Sequence, residues 1–166
     1  MKSKKVEQAL NEQIKVEYES SQFYLAMASW AETEGLNGTA NFLYGQSEEE
    51  RQHMLKLIRF VNERGGQAVI PALPEPPKSF ESLQSIFQHL LDHEMKVTDS
   101  INEVVGTCLS EKDYTTHNFM QWYVSEQIEE ESMARNLLDQ LNLIGNDKGG
   151  LYLFDRDLNS GNVSTE

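Results

Sequence analysis

Glu50 and His53 have the spacing of two metal ligands on one helix. They are three residues apart, so both side chains project from the same face when the segment is helical. This Glu-x-x-His arrangement is the one that carboxylate-bridged di-iron bundles use. Oxygen-rich ligation with one imidazole favours iron or manganese, although Zn²⁺ would compete for the same ligands. The pair therefore predicts a metal site on a long helix.

Further polar side chains interrupt the apolar faces of three other predicted helices, at Glu17, Glu94, Gln127 and Glu130. Glu17, Glu94 and Gln127 each lie near the middle of a helix, as Glu50 does. Antiparallel helices meet at one height where residues are equally far from an end, so we expect these positions to meet. Buried carboxylates each carry a desolvation penalty of roughly several kcal/mol, which a multivalent cation would offset. The alternative is a polar core network of Glu, His, Gln and Tyr.

A second group of acids lies beside the first. At about 100° per residue, Glu126 and Glu130 are roughly 40° apart on their helix, with Gln127 on one side and Glu129 on the other. Glu49 similarly lies on the opposite side of His53 from Glu50. An acidic helix run is ordinarily a solvated face, but this placement predicts a third cation site next to the first two.

Two aromatic residues are candidates for a role in electron transfer. Tyr24 follows Glu17 by two helical turns on the same face, and Trp122 precedes Glu126 by one turn. Aromatic side chains in a bundle commonly belong to the core. The functional alternative is that Tyr24 hydrogen-bonds a ligand carboxylate and that either ring donates an electron. His89 and His93 lie off the acidic stripe, so we expect them at the surface or at an interface.

Apolar periodicity predicts an all-α fold built from one domain spanning 1–166. All four prolines lie between Pro71 and Pro77, so that stretch is predicted to be an extended crossover between two helix pairs. A linker between two domains is disfavoured because neither side has a core of its own. The predicted elements are long helices at about 3–34, 39–64, 82–110 and 113–141, a short fifth packing element at about 148–158, and a disordered end at about 160–166.

Composition limits the partners that the chain can have. The net charge is −13 over 166 residues, which disfavours nucleic acid and anionic membranes, since both select clustered Lys and Arg. No apolar run approaches the roughly 20 residues of a spanning helix, and the start lacks the apolar stretch of a secretory signal. We therefore expect a cytoplasmic protein whose ligands are cations. The single cysteine, Cys108, lies on an apolar face and is expected to be a buried packing residue.

Five motifs resemble those of the bacterial non-haem ferritins. They are LNEQIKVEYESSQFY, EEERQHM, DHE ending at Glu94, FMQWYVSEQIEEE and GGLYLFDRDL, which together span nearly the whole chain. The resemblance implies a ferritin-like four-helix bundle with a short fifth helix, assembled as a homo-oligomeric shell of 24 subunits. It also implies storage of ferric mineral after oxidation of Fe²⁺ by O₂ or H₂O₂.

The resemblance assigns ligands to three iron positions. Glu17, Glu50 and His53 would hold the first iron, with Glu50 bridging to the second. Glu94, Glu130 and a nearby Gln127 would hold the second iron. The third would be held by Glu49, Glu126, Glu129 and Glu130.

Two sequence differences distinguish this chain from the bacterioferritins, a related family. A bacterioferritin would repeat Glu-x-x-His on its fourth helix, where this chain has Gln127-x-x-Glu130, and would have a haem-ligating Met where Arg51 stands. No haem is expected. The DNA-coating mini-ferritins build their site between subunits and often have basic tails. This chain has an acidic tail and a site within one chain, so it fits neither feature. The remaining alternatives are a non-storage di-iron peroxidase or oxidase, and a structural or metal-binding bundle.

Overall fold

The computed structural model describes residues 3–159, and these form five helices with no strand, which confirms the all-α prediction. The helices are α1 Lys4–Thr33, α2 Asn37–Glu63, α3 Leu83–Ser110, α4 Tyr114–Ile144 and α5 Lys148–Asn159. Helices α1 and α2 form one hairpin and α3 and α4 form another. The predicted disordered end at 160–166 lies outside the described residues. None of the helices within 3–159 is long and apolar enough to cross a membrane.

The ends of the helices follow from local backbone chemistry. Ser3, Ser82 and Asp113 each accept a hydrogen bond from a backbone N–H in the first turn of α1, α3 and α4. Gly35 and Gly65 have φ values of +78° and +72°, the left-handed conformation that ends α1 and α2. Helix α4 continues to Ile144, past the predicted end near 141, because the next left-handed glycine is Gly145.

Helix α2 starts at Asn37, two residues before the predicted start at about 39, so it includes Asn37, Gly38 and Thr39. All three residues belong to the first turn of α2, and the N-cap residue Leu36 makes no side-chain hydrogen bond. The carboxylate of Asp155 on α5 accepts hydrogen bonds from Gly38 N at 3.1 Å, Thr39 N at 2.7 Å and Thr39 Oγ1 at 2.8 Å. The cap is therefore tertiary, supplied from more than a hundred residues away in the sequence.

The crossover between α2 and α3 is extended, as predicted, and it packs along α1. The Val69 N–H donates to Asn11 Oδ1 at 2.7 Å, and Asn11 Nδ2 donates to the Gln67 carbonyl at 3.1 Å. Farther along, the Phe80 ring lies 5.8 Å from the Trp30 ring, in an edge-on arrangement. These contacts let the connection run the length of the bundle.

The apolar core consists of two clusters, and all four long helices contribute to both. One cluster contains Met27, Leu43, Phe87 and Leu137, and the other contains Leu10, Leu57, Ile101, Cys108 and Met120. The residues between these two sets on each helix are polar and buried, namely Glu17, Glu50, His53, Glu94, Gln127 and Glu130. We call these six residues the polar belt. The belt lies at mid-bundle, as predicted from the position of Glu17, Glu50, Glu94 and Gln127 near the middle of their helices.

Candidate metal centre

Three members of the polar belt form a compact group, which we call the inner group: Glu17, Glu50 and His53. One potential ligand atom from each lies within 4.8 Å of the others. His53 Nδ1 is 3.9 Å from Glu17 Oε2 and 3.6 Å from Glu50 Oε2. Both Oε2 atoms are buried without a hydrogen-bond donor. Two carboxylate oxygens and an imidazole nitrogen thus converge in a site from which water is excluded.

The other oxygen of Glu17 is held by a chain of hydrogen bonds. Gln13 Nε2 donates to Glu17 Oε1 at 2.8 Å, and Ser100 Oγ on α3 donates to Gln13 Oε1 at 2.6 Å. Helix α1 therefore presents one fixed oxygen to its own glutamine and directs the other at His53. Such partners orient ligand side chains before a metal arrives.

Glu94 and Gln127 connect α3 to α4 on the other side of the belt. Gln127 Nε2 lies 3.1 Å from Glu94 Oε2 and 3.2 Å from the Glu94 carbonyl oxygen, so the amide positions this carboxylate. Glu94 Oε1 and Glu130 Oε2 remain buried and without a donor. The structure therefore brings Glu94, Gln127 and Glu130 to the level of the inner group, with two free carboxylate oxygens.

Burial raises the pKa of every carboxyl in the belt. The pKa of Glu50 and that of Glu94 rise to about 7, and that of Glu130 rises to about 9, mainly through desolvation. Nearby negative charges add to these shifts. The pKa of Glu17 is raised well above its ordinary value by burial and by the Glu50 charge. A multivalent cation would reverse this penalty by neutralising the charges.

A second set of potential ligands, which we call the outer group, comprises Glu49, His53 and Glu126. Their ligand atoms also lie within 4.8 Å of one another, and His53 is common to both groups. Gln46 Nε2 donates to Glu49 Oε2 at 3.2 Å. Burial raises the pKa of Glu126, and the Glu129 and Glu49 charges raise it further. Within residues 3–159 Glu129 is exposed and is part of neither group, so its role as a ligand stays a prediction.

The aromatic candidates occupy different environments. Tyr24 is fully buried, and its hydroxyl has no hydrogen-bond partner, so the expected bond to a ligand carboxylate is not formed. The Trp122 ring is perpendicular to the His53 ring, with centroids 5.1 Å apart. Tyr123 was not among the site residues predicted from the sequence, yet its hydroxyl donates to the His53 carbonyl at 2.8 Å. Its position on the inward stripe of α4 was the available signal.

His89 and His93 lie apart from the belt. His89 is exposed, as expected. His93 is half-buried within the chain, where its Nε2 is 2.7 Å from Ser20 Oγ on α1 and its ring lies 5.3 Å from that of Phe23. Burial lowers the pKa of His93 to about 4, so it is neutral at physiological pH. It joins α1 to α3.

Four long antiparallel helices around a buried carboxylate–histidine cluster define the class of carboxylate-centred helix bundles. A family model described as a ferritin-like domain matches residues 7–144. The chain is 45% identical over 166 residues to a probable bacterial non-heme ferritin-like protein of Haemophilus influenzae, covering 100% of this chain and 99% of the relative. The chain therefore belongs to the ferritin family.

Two further comparisons agree with this assignment. A bacterial non-heme ferritin of Campylobacter jejuni is 42% identical over 156 residues, which cover 94% of this chain and 93% of the relative. An open pore ferritin from the archaeon Archaeoglobus fulgidus has a solved structure with a TM-score of 0.94 and 43% identity, covering 96% of this chain and 98% of that one.

Proposed function

We propose that this chain is an iron-storage ferritin subunit that binds pairs of Fe²⁺ at the polar belt, oxidises them and passes ferric iron to a mineral core. The observation that supports this most directly is the set of four buried carboxylate oxygens without hydrogen-bond donors, on Glu17, Glu50, Glu94 and Glu130. Membership of the ferritin family supports the storage role.

Each half of the belt would bind one iron. Glu17, Glu50 and His53 bind the first ion, and Glu94 and Glu130 bind the second, with Glu50 shared between them and Gln127 beside Glu94. Carboxylates stabilise the more highly charged Fe³⁺ more than Fe²⁺, so this ligand set favours oxidation. Two Fe²⁺ release two electrons. These reduce O₂ with two protons to H₂O₂, or reduce H₂O₂ with two protons to two water molecules.

A third cation would bind at the outer group, where the resemblance assigns Glu49 and Glu126 as ligands together with Glu129 and Glu130, which lie outside that group. Because His53 belongs to both groups, the two positions adjoin one another through a shared side chain. Storage further requires identical subunits to enclose a cavity, and we propose a shell of 24. We place this activity in the cytoplasm.

The activity is tested with the double variant Glu50→Ala, His53→Ala. Rapid Fe²⁺ oxidation should fall at least about 100-fold, because removing metal ligands abolishes the paired site. The matched control is Glu48→Ala with Arg51→Ala, an exposed pair on the same helix with the same spacing, 3.3 Å apart. This control should oxidise iron at the parent rate. Equal rates in both double variants, each with native helix content, would refute the site.

Storage is tested separately by the iron content and mass of the assembled particle. A storage protein takes up many Fe per chain with growing ferric absorption, whereas an enzyme with a permanent di-iron cofactor stops near two. A particle of monomer mass would exclude the shell and leave the oxidation site untouched.

A further inference from the structure

A groove of about 660 Å³ opens between α2 and α4 beside the outer group. Helix α2 lines it with Glu49, His53 and Lys56, which lie four and three residues apart on one face, and α4 lines it with Trp122 and Glu126. The outer group therefore faces this groove, while the inner group lies behind His53 in the core. The groove is an open approach to the outer group.

Lys56 places a positive charge in this groove. Its Nζ lies 3.0 Å from the centre of the Trp122 ring and 5.6 Å from that of Tyr123, a cation–π contact. Within the described chain Lys56 forms no ion pair with a carboxylate at 4.0 Å or less, although the Glu126 charge acts on it. The ammonium is thus kept beside the outer acids and in contact with an aromatic face.

We infer that Lys56 is a specificity-determining residue of the metal centre, a built-in cation that weakens metal binding at the outer group. This inference rests on the proposed function, because it concerns how that centre divides cations between its positions. In this open, solvated groove the effective dielectric constant is close to that of water, about 80, so an ammonium roughly 6 Å from a divalent ion lowers the affinity about tenfold. The inner group is separated from Lys56 by His53 and is affected less.

Weak binding at the outer group has a functional consequence. A cation that arrives there is not retained, and the shared His53 lies between it and the unpaired oxygens of Glu17 and Glu50. Lys56 thereby favours occupancy of the inner group over accumulation in the groove. An incoming cation also displaces the ammonium from the ring of Trp122, which makes that ring a reporter of outer occupancy.

The test uses Zn²⁺, which binds carboxylate and imidazole ligands without redox chemistry or paramagnetic quenching. The assembled metal-free protein with Trp30→Phe retains Trp122 as its one tryptophan, since the sequence has two. Calorimetry gives the Zn²⁺ affinity of each class of site, and Trp122 emission follows the ring. Glu126→Gln identifies the outer class, which this variant should lose or weaken.

Three variants distinguish the outcomes: Lys56→Gln, Lys56→Arg and the control Lys15→Gln. The control changes the net charge as much as Lys56→Gln does, at a partly exposed lysine on α1 that does not line the groove. In Lys56→Gln the outer class should bind Zn²⁺ about tenfold tighter, and the metal-free emission should already match that of the Zn²⁺-loaded parent. Lys56→Arg and Lys15→Gln should keep parent affinities.

Unchanged outer affinity in Lys56→Gln would overturn the inference, as would equal tightening in Lys15→Gln. Neither result would contradict the proposed function, provided that the parent protein binds Zn²⁺. That binding should be abolished in the double variant Glu50→Ala, His53→Ala. Absence of Zn²⁺ binding to the parent protein would count against both.

Discussion

At the scale of the residue, the polar belt places ionisable groups where they are costly to bury. Four carboxyls lie out of water, each with an oxygen that no protein donor reaches. Their raised pKa values show that burial favours the protonated form in the absence of a metal. The belt is therefore organised for a cation and costs stability without one.

A pH dependence of the metal-free protein follows from these pKa values. Glu50 and Glu94 have a pKa of about 7 in the folded chain, above the ordinary 4.5, and Glu130 has one of about 9. At pH values between the ordinary pKa and the raised pKa, each of these carboxyls holds more protons in the folded state than in the unfolded state. The free energy of unfolding should therefore fall as pH rises, from 5 to about 7 through Glu50 and Glu94 and on to about 9 through Glu130. Each carboxyl contributes up to about 1.4 kcal/mol per pH unit within its own range.

Chemical denaturation of the chelator-treated protein at several pH values measures this slope. Glu94→Gln, which has a neutral side chain of the same shape, should flatten it between pH 5 and 7. Saturating Zn²⁺ should restore stability at pH 8. Stability of the metal-free protein that rises between pH 5 and 9 would contradict the assigned burial.

The belt residues could be predicted from the sequence because each stands where an apolar residue is expected on a helical stripe. Glu17 and Glu50 are recognisable in this way without any three-dimensional information. The Lys56 ammonium over the Trp122 ring could not be predicted, because that contact depends on how α2 and α4 rotate about their axes. The same holds for the bond from Tyr123 to the His53 carbonyl.

At the scale of the element, α5 is fixed by its contacts with the start of α2. Asp155 caps the first turn of α2, and Phe154 packs edge-on to Phe87 at 5.5 Å between ring centres. A Cβ built on Gly38 would lie 1.7 Å from the Asp155 carbonyl oxygen, so only glycine permits this approach. The negative carboxylate also complements the positive end of the α2 dipole.

Gly38→Ala should detach α5, because the added methyl group and the α5 backbone cannot occupy the same space. Amide hydrogen exchange over 148–159 should quicken, and unfolding should occur at lower denaturant. Asp155→Asn should produce a smaller effect, about 1 to 2 kcal/mol, by weakening a charged cap. Gly45→Ala is the control within α2: nothing lies within 4 Å of its added Cβ, so it should be neutral or stabilising. Parent-like exchange in Gly38→Ala would exclude this role.

The helix ends marked by Gly35 and Gly65 were predictable because a left-handed glycine is a local signal. The start of α2 was not, since the group that caps it lies on α5. The prediction began this helix at about 39, whereas α2 starts at Asn37 and is capped by Asp155. Helix boundaries that depend on residues distant in the sequence cannot be predicted from local sequence patterns.

At the scale of the whole molecule, the single chain exposes large apolar side chains near the end of α4 and on α5. Leu143 is 89% exposed and Tyr152 is 70% exposed. Side chains of this kind are commonly covered by another subunit. The proposed shell provides such a cover.

Assembly should therefore depend on these two residues. Leu143→Glu with Tyr152→Glu should reduce the mass in solution from that of the shell to that of small oligomers, because charges would be buried at the contact. Leu143→Met with Tyr152→Phe, which preserves the apolar surface, should still assemble. Sedimentation velocity distinguishes these outcomes, and full-size particles in the charged variant would place the contact elsewhere.

The division of the core into two apolar clusters by the polar belt sets a limit for protein engineering. Replacing belt residues by leucine would join the clusters into one continuous core and should yield a sturdier bundle. The same change would remove the proposed metal ligands and with them the oxidation of iron. Substitutions intended to raise the thermal stability of this bundle should therefore be made in the two apolar clusters and not in the polar belt.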